Sequence, residues 1–194
     1  GAEAQATLSE GAWRGLPISQ ATAEFRWQDE TLHVLSSSVR SGDGAVVASG
    51  TVTLAADGSR PPRFEFAARA TAFQLDPYVA VLSPRVDFSA AVNGHAHVTG
   101  SLESYDGEAT LSLANATYVG VPIALDSVEM TAAAGRWTAA PFEFRVSSVP
   151  FDAAATFDVE TYAFSAAFPA AIPISDLLTW LPNASEGTLE DAEG

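Results

Sequence analysis

The stretch Trp13-Arg14-Gly15-Leu16-Pro17-Ile18 recurs in altered form as Tyr118-Val119-Gly120-Val121-Pro122-Ile123, 105 residues further along the chain. Other matches lie at the same spacing or close to it: Glu3-Ala4 with Glu108-Ala109, Leu8 with Leu113, Glu24-Phe25 with Glu129-Met130, and Leu82-Ser83-Pro84 with Trp180-Leu181-Pro182. Self-similarity at a fixed period indicates a repeat architecture. The sequence therefore predicts a first unit over residues 1–103 and an incomplete second unit over residues 104–194.

Most segments within each unit alternate polar and apolar residues with a period of two, which is typical of β-strands. In residues 63–71, the apolar residues Phe64, Phe66, Ala68 and Ala70 share one predicted face. Glycine, aspartate and other polar residues predict turns at residues 28–30, 41–44, 105–107 and 134–135, and bulges or bends at Gly50 and Asn93-Gly94. Short connections of this kind predict antiparallel pairing.

Two segments have apolar residues at helical spacing instead: Leu75, Tyr78, Val79 and Leu82 in the first unit, and Ile174, Leu177, Leu178 and Leu181 in the second. Each unit is therefore predicted to contain one short helix. The predicted fold class is all-β, an antiparallel meander of two units of roughly a hundred residues each.

Composition excludes several functions. The chain of 194 residues has no cysteine, so it has no disulfide framework and no thiolate metal site. Its net charge of −15, with every basic residue an arginine, argues against nucleic acid and against an anionic membrane surface as partners. It contains no apolar run long enough to span a membrane as a helix. Since Gly1 is not a start methionine, we expect the chain to be processed or cut from a longer protein.

A sheet with one apolar face must cover that face, and two arrangements are available. The sheet can fold over as a sandwich with a dry core, or it can curl into a trough whose apolar lining accommodates an apolar ligand. The mixture of phenylalanine and alanine on the predicted face favours the trough modestly, because a dry core requires close packing.

Two motifs resemble the repetitive periplasmic region of the AsmA/TamB family: residues 94–102, which follow the pattern G-x-x-x-x-x-G-x-L, and the Gly120-Val121-Pro122-Ile123 stretch. The resemblance extends over essentially the whole chain and rests on a repeat style. It implies a long sheet folded lengthwise into a taco-like trough in an inner-membrane-anchored protein. Such proteins are thought to carry phospholipid across the periplasm or to assist outer-membrane protein assembly.

The leading hypothesis is therefore a non-enzymatic periplasmic segment that binds lipid acyl chains and adjoins further repeats of the same chain. The predicted groove residues are Phe64, Phe66, Val86, Phe88, Leu111, Leu113, Met130, Phe142, Phe144, Phe157 and Phe164. The open ends of a trough would expose strand edges, so we also expect end-to-end self-association. The rival hypothesis is a repeat-built β-sandwich that serves as a scaffold or adhesion module and has a dry core.

Catalytic and metal chemistry is weakly indicated. His95 and His97 share one strand face at a spacing that can bind metal, but no third ligand is apparent. The sequence lacks a nucleophile elbow, a phosphate-binding loop and a dinucleotide fingerprint. We therefore predict no enzymatic activity, no cofactor and no resident metal.

Overall fold

The chain folds into one β-sheet whose strands follow one another in sequence order, each antiparallel to the next. The computed structural model describes residues 1–13, 16–54, 61–82, 85–101, 103–147, 149–158 and 163–167. These residues form eleven strands: β1 (Ala2–Trp13), β2 (Leu16–Gln28), β3 (Thr31–Ser41), β4 (Gly44–Thr53), β5 (Arg63–Gln74), β6 (Phe88–Ser101), β7 (Tyr105–Tyr118), β8 (Val121–Ala133), β9 (Arg136–Val146), β10 (Val149–Asp158) and β11 (Ala163–Ala167).

The all-β antiparallel meander predicted from the sequence is confirmed. The sheet is not closed, because β1 and β11 lie at opposite edges and do not pair with each other. One short helix, α1 (Asp76–Leu82), connects β5 to β6, where helical spacing predicted it. The second predicted helix, over residues 174–181, lies outside the described residues. The division of the chain into two repeat units remains a prediction.

Several strands are joined by two-residue loops with left-handed backbone at both positions. Asp29 and Glu30 have φ of 49° and 62°, Val119 and Gly120 have 51° and 75°, and Ala134 and Gly135 have 49° and 81°. Positive φ at both loop residues defines the type I′ turn, whose twist matches that of the flanking strands. These loops set the register of each hairpin and therefore decide which residues share a face.

β-Bulges interrupt the pairing at places that the sequence did not indicate. Gly50 pairs regularly on both sides, and the irregularity lies instead in β3, between Val34 and Ser37. The extra residue moves Ser37 to the face of Val34, whereas simple alternation had placed it with His33. Bulges add one unpaired residue to one strand, so every later residue of that strand changes face.

A second bulge shows how a side chain can satisfy the backbone of an unpaired residue. In β5, Ala72 has a φ of 48° and lies within the register shift between Ala70 and Phe73. The backbone N–H of Ala72 donates a hydrogen bond of 2.8 Å to Oδ1 of Asn93 on β6. A bulge therefore does occur where a bend or bulge was predicted at Asn93-Gly94, but the extra residue belongs to β5, while β6 is continuous and its Asn93 supports the bulge.

Two boundaries differ from the sequence prediction. Residues 105–107 were expected to form a turn, but Tyr105 begins β7 and pairs with Gly100. Val86 was expected to line the groove, but β6 begins only at Phe88, and Val86 is 41% exposed in the preceding segment. Aspartate and glycine predict a turn only weakly in a segment that can pair with neighbouring strands on both sides along its full length.

Helix α1 lies on the apolar side of the sheet. The ring of Tyr78 stacks on that of Phe73 of β5, with centroids 5.3 Å apart. At the start of the helix, Oδ1 of Asp76 accepts a hydrogen bond of 3.0 Å from the backbone N–H of Ala90 on β6. The helix contacts β2 as well as β6, although three strands separate these two in the sheet.

Candidate apolar binding face

The register of the strands gathers the apolar residues on one side of the sheet, here called the apolar face. Directly paired residues of antiparallel strands point to the same side, so each pairing extends the face by one strand. Its bulky members with described side chains include Phe25, Trp27, Leu32, Val34, Val52, Phe64, Phe66, Phe73, Phe88, Val98, Tyr105, Leu111, Leu113, Ile123, Leu125, Val128, Met130, Trp137, Phe142, Phe144 and Phe151.

Charged side chains occupy the opposite face. No Asp, Glu, Arg or His stands at a paired position of the apolar face in the described strands. The polar face carries cross-strand ion pairs, among them Arg26 with Glu3 at 2.8 Å and Arg145 with Asp126 at 3.0 Å. Exposed pairs of this kind contribute little to stability, so they mainly identify the side of the sheet that faces water.

Within the described residues, no second layer of strands covers the apolar face. No large side chain there is completely buried, and Phe64, Phe66 and Phe142 all remain partly exposed. Near the β1 edge, Leu8 is 44% exposed and Trp27 40% exposed. A dry sandwich core would bury such side chains fully. Among the described residues, helix α1 lies on part of the apolar face, and much of the rest is accessible.

Three hydroxyl groups on the apolar face bond to the protein backbone, and a fourth belongs to Tyr118, which pairs with Phe88 and Val121 and is 45% exposed. Oγ of Ser37 donates to the carbonyl of Ala48 at 3.1 Å, and Oγ of Ser41 donates to that of Gln74 at 2.8 Å. The hydroxyl of Tyr105 donates to the carbonyl of Gly135 at 3.1 Å. These bonds use the donors internally and leave the surface of the face essentially hydrocarbon.

A row of small residues crosses the face at right angles to the strands and is here called the alanine row. It takes one position from each of β1 to β10, each member is the direct partner of the next, and all are small except Met130 on β8: Ala6, Ala23, Ser37, Ala48, Ala68, Ala96, Ala109, Met130, Ala139 and Ala155. Bulkier residues flank it on both sides on β3 (Val34 and Val39) and β9 (Trp137 and Phe142), whereas on β4 to β7 one of the two flanking residues is a glycine or an alanine. The row is therefore a line of small side chains along the long dimension of the sheet, interrupted by Met130.

Aromatic rings cluster beside the alanine row. Phe64 lies 6.2 Å from Phe66 and 6.3 Å from Tyr105, measured between ring centroids. The ring of Phe66 also covers Gly50, in the space that a Cβ would need. In the second cluster, Phe144 lies 6.4 Å from Phe142 and 5.4 Å from Phe151.

The structure brings most of the predicted groove residues onto the apolar face. Those on the face are Phe64, Phe66, Phe88, Leu111, Leu113, Met130, Phe142 and Phe144. Val86 is outside the strands and is not brought onto this face. Phe157 pairs with Trp137 and Phe164 in backbone register, but the side chains of Phe157 and Phe164 lie outside what the structure describes.

Sequence reasoning missed several members of the face. Tyr105 was assigned to a turn, and Trp137 and Phe151 were not included among the groove residues. Phe73 was assigned to the segment leading into the helix, but it pairs with Val92 at the end of β5. The available signal was the position of these aromatic residues, at the ends of segments in which polar and apolar residues alternate. Hairpin strands commonly extend beyond the part of the segment where this alternation is clearest.

The two histidines noted in the sequence lie on the polar face. Nε2 of His97 is 3.2 Å from Oε1 of Glu65, and both side chains are substantially exposed. The described residues contain no group of three or more His, Cys, Asp or Glu side chains that could hold a metal ion. This arrangement is that of an ordinary solvated cross-strand pair.

Comparison of the chain with models of known protein families, with curated proteins and with solved structures finds no match. Among the described residues, no helix has the length and apolar composition needed to cross a membrane. The two chemically different faces of the sheet are therefore the features that bear on function.

Proposed function

We propose that the chain is a lipid-binding segment of a periplasmic, AsmA/TamB-like protein involved in lipid transport or outer-membrane biogenesis, with acyl chains of phospholipid lying on the apolar face. One observation carries the proposal: a continuous apolar face extends across the sheet, without charge at its paired positions and without a covering layer in the described residues. The proposed role requires no catalytic residue, cofactor or metal.

The size of the apolar face supports a ligand of large apolar area. Eleven strands at about 4.8 Å spacing span about 48 Å, and strands of about eleven residues are about 36 Å long, giving on the order of 1,500 Å². The largest apolar patch on a typical soluble monomer measures about 300–600 Å². Acyl chains are suitable occupants because each methylene removed from water contributes about 0.8 kcal/mol.

The alanine row fits an extended hydrocarbon chain. Same-face neighbours along a strand are about 6.8 Å apart, so on either side of Met130 the row offers a strip of small side chains of roughly the width of one acyl chain. The hydroxyls of Ser37, Ser41 and Tyr105 are already bonded to the backbone and present no polar anchor to a passing lipid. Hydrophobic contact is non-directional, which suits movement along the row.

The position of α1 supports a trough with the apolar face on its concave side. The helix lies on that face through the stack of Tyr78 on Phe73, and it contacts β2 from a connection between β5 and β6. A flat sheet would place β2 about 14 Å from β5 and about 19 Å from β6. A curl of β2 towards the helix would account for this contact, and a taco-like trough is the shape that the family resemblance implies.

The rival hypothesis, a scaffold or adhesion module with a dry core, has no specific observation in its favour. The described strands belong to one sheet, whereas a sandwich requires two sheets packed face to face about 10 Å apart. The periplasmic location and the continuation of the trough by adjacent repeats are parts of the same proposal as lipid binding.

Mass spectrometry of an organic extract of the purified chain tests the proposal. We expect bound phospholipid in the unmodified chain, and its loss in the variants Phe66→Asp and Phe144→Asp, because each places a charge on the apolar face. Ala67→Asp is the matched control, since Ala67 adjoins Phe66 in β5 but is exposed on the polar face. Circular dichroism verifies that each variant is folded.

Two results would contradict the proposal. The first is a chain that carries no lipid after purification and takes up none from phospholipid vesicles or free fatty acid. The second is bound lipid that decreases equally in Phe66→Asp and Ala67→Asp, because binding would then not depend on the apolar face.

A further inference from the structure

Between β2 and β6, the apolar face has one end that is covered, here called the helix rim. It comprises the ends of these strands nearest to helix α1, with the β3–β4 loop at residues 42–43. Ser41 at the end of β3 is 2% exposed, Gly44 at the start of β4 is buried, and Ala90 of β6 is 1% exposed. Residues at the tip of a hairpin are normally open to water, so their burial shows that this end of the face is closed.

Helix α1 is held against the helix rim by polar and aromatic contacts. The backbone N–H of Leu75 donates to the carbonyl of Ala90 at 2.9 Å, and the N–H of Ala90 donates to Oδ1 of Asp76 at 3.0 Å. One turn further on, the ring of Tyr78 stacks on that of Phe73 at 5.3 Å. The helix also contacts β2, and β3 and β4 lie between β2 and β5 in the sheet. The helix therefore obstructs this end of the face from β2 to β6.

The opposite ends of the same strands, here called the open rim, include the β2–β3 loop at Asp29-Glu30. Among the described residues, no helix lies at this rim. Trp27, the last apolar residue of β2, is 40% exposed there, and Leu54 after β4 is also 40% exposed. Tryptophan has an apolar body and a polar N–H, and it is enriched where hydrocarbon meets lipid headgroups. The two ends of the face therefore differ in cover.

On the basis of the proposed function, we infer that a phospholipid bound between β2 and β6 places its headgroup at the open rim, and that α1 excludes the headgroup from the helix rim. A phosphate group must remain in water, because burial of a charge without a partner is very costly. At the open rim the headgroup stays hydrated, whereas at the helix rim it would lie against α1.

The length of an acyl chain fits this orientation. Phe64 lies near the open rim, and Ala68 of the alanine row is four residues further along β5, about 14 Å away. One leaflet of a bilayer has a hydrocarbon thickness of about 15 Å, half of the total core. An acyl chain that begins at the open rim therefore reaches the alanine row before it meets Tyr78 on Phe73.

Quenching of a fluorophore at either end of β3 tests the orientation. The chain has no cysteine, so Glu30→Cys labels the open rim and Asp43→Cys labels the helix rim. Both positions are exposed acidic loop residues, and the eleven residues of β3 hold them about 36 Å apart. The probe is phosphatidylcholine with a nitroxide on its headgroup, bound to the chain and freed of excess lipid by gel filtration. A water-soluble nitroxide corrects for any difference in exposure of the two labels.

We expect the headgroup nitroxide to quench the label at Glu30→Cys about threefold or more strongly than the label at Asp43→Cys, because of this separation. Adding Tyr78→Ala removes the ring stack that holds α1 on Phe73, and the two labels should then be quenched more equally. The control is Tyr118→Ala, the same change at an exposed position of the apolar face at the end of β7, and it should preserve the preference. Circular dichroism verifies that each variant is folded.

Three results would overturn the inference: equal quenching of the two labels, stronger quenching at Asp43→Cys, or a preference that Tyr78→Ala leaves unchanged or that Tyr118→Ala reduces equally. A chain that retains no labelled lipid would contradict the proposed function, and this inference with it. Retained lipid that quenches both labels equally would contradict the orientation alone.

Discussion

Enlarging one alanine of the alanine row should separate an open groove from a dry core. Ala68 on β5 pairs with Ala48 and Ala96 and is only partly buried. Ala68→Phe places a ring across the row. Because no described element covers this position, we expect the free energy of unfolding to change by less than about 0.5 kcal/mol. In a packed core, the same enlargement would cost about 1–3 kcal/mol or more.

The expected effect on lipid binding follows from the geometry of the row. A phenyl ring blocks a length of the row equivalent to about four methylenes of an acyl chain. At about 0.8 kcal/mol each, their displacement weakens binding by about 3 kcal/mol, or about a hundredfold in Kd. The control is Ala67→Phe, the same change at the preceding residue, on the polar face beside Ser49 and His97.

Displacement of a fluorescent fatty acid measures Kd, and urea denaturation measures stability, for both variants and the unmodified chain. The reasoning predicts weaker binding in Ala68→Phe alone, with both variants as stable as the unmodified chain. A large loss of stability confined to Ala68→Phe would show that the apolar face is covered by a packed layer. Equal weakening of binding in both variants would refute a groove along the alanine row.

Two further predictions concern backbone positions that alternation alone does not reveal. Val119→Asn should stabilise the chain by about 0.5–1 kcal/mol, because a β-branched residue is strained at a φ of 51° and asparagine tolerates this conformation. An unchanged or lower midpoint of thermal unfolding would contradict this prediction. Asn93→Ala should destabilise the chain by about 1–2 kcal/mol in urea denaturation, because the N–H of Ala72 loses its acceptor. Asn93→Asp, which retains an acceptor oxygen, should lose less, and equal losses in the two variants would argue against the role of this bond.

The sequence by itself determined the all-β class, the antiparallel meander and helix α1. These features are determined by residues that are close together in the sequence. Phe64 and Phe66, two residues apart, indicate a single strand, and the turn at Ala134-Gly135 joins the strands on either side of it. The apolar character of one side of each strand is equally local. Eight of the eleven predicted groove residues could therefore be placed correctly on the apolar face before the strands were paired.

Only the tertiary structure decided how these strand faces join. In β8, Ile123 and Leu125 have the opposite sequence parity from Val128 and Met130, yet all four share the apolar face because a bulge separates the two pairs. Alternation cannot reveal this, since an inserted residue is visible only against the partner strand. The alanine row exists for the same reason: its members are distant in sequence, and the pairing of each strand with the next brings them into line.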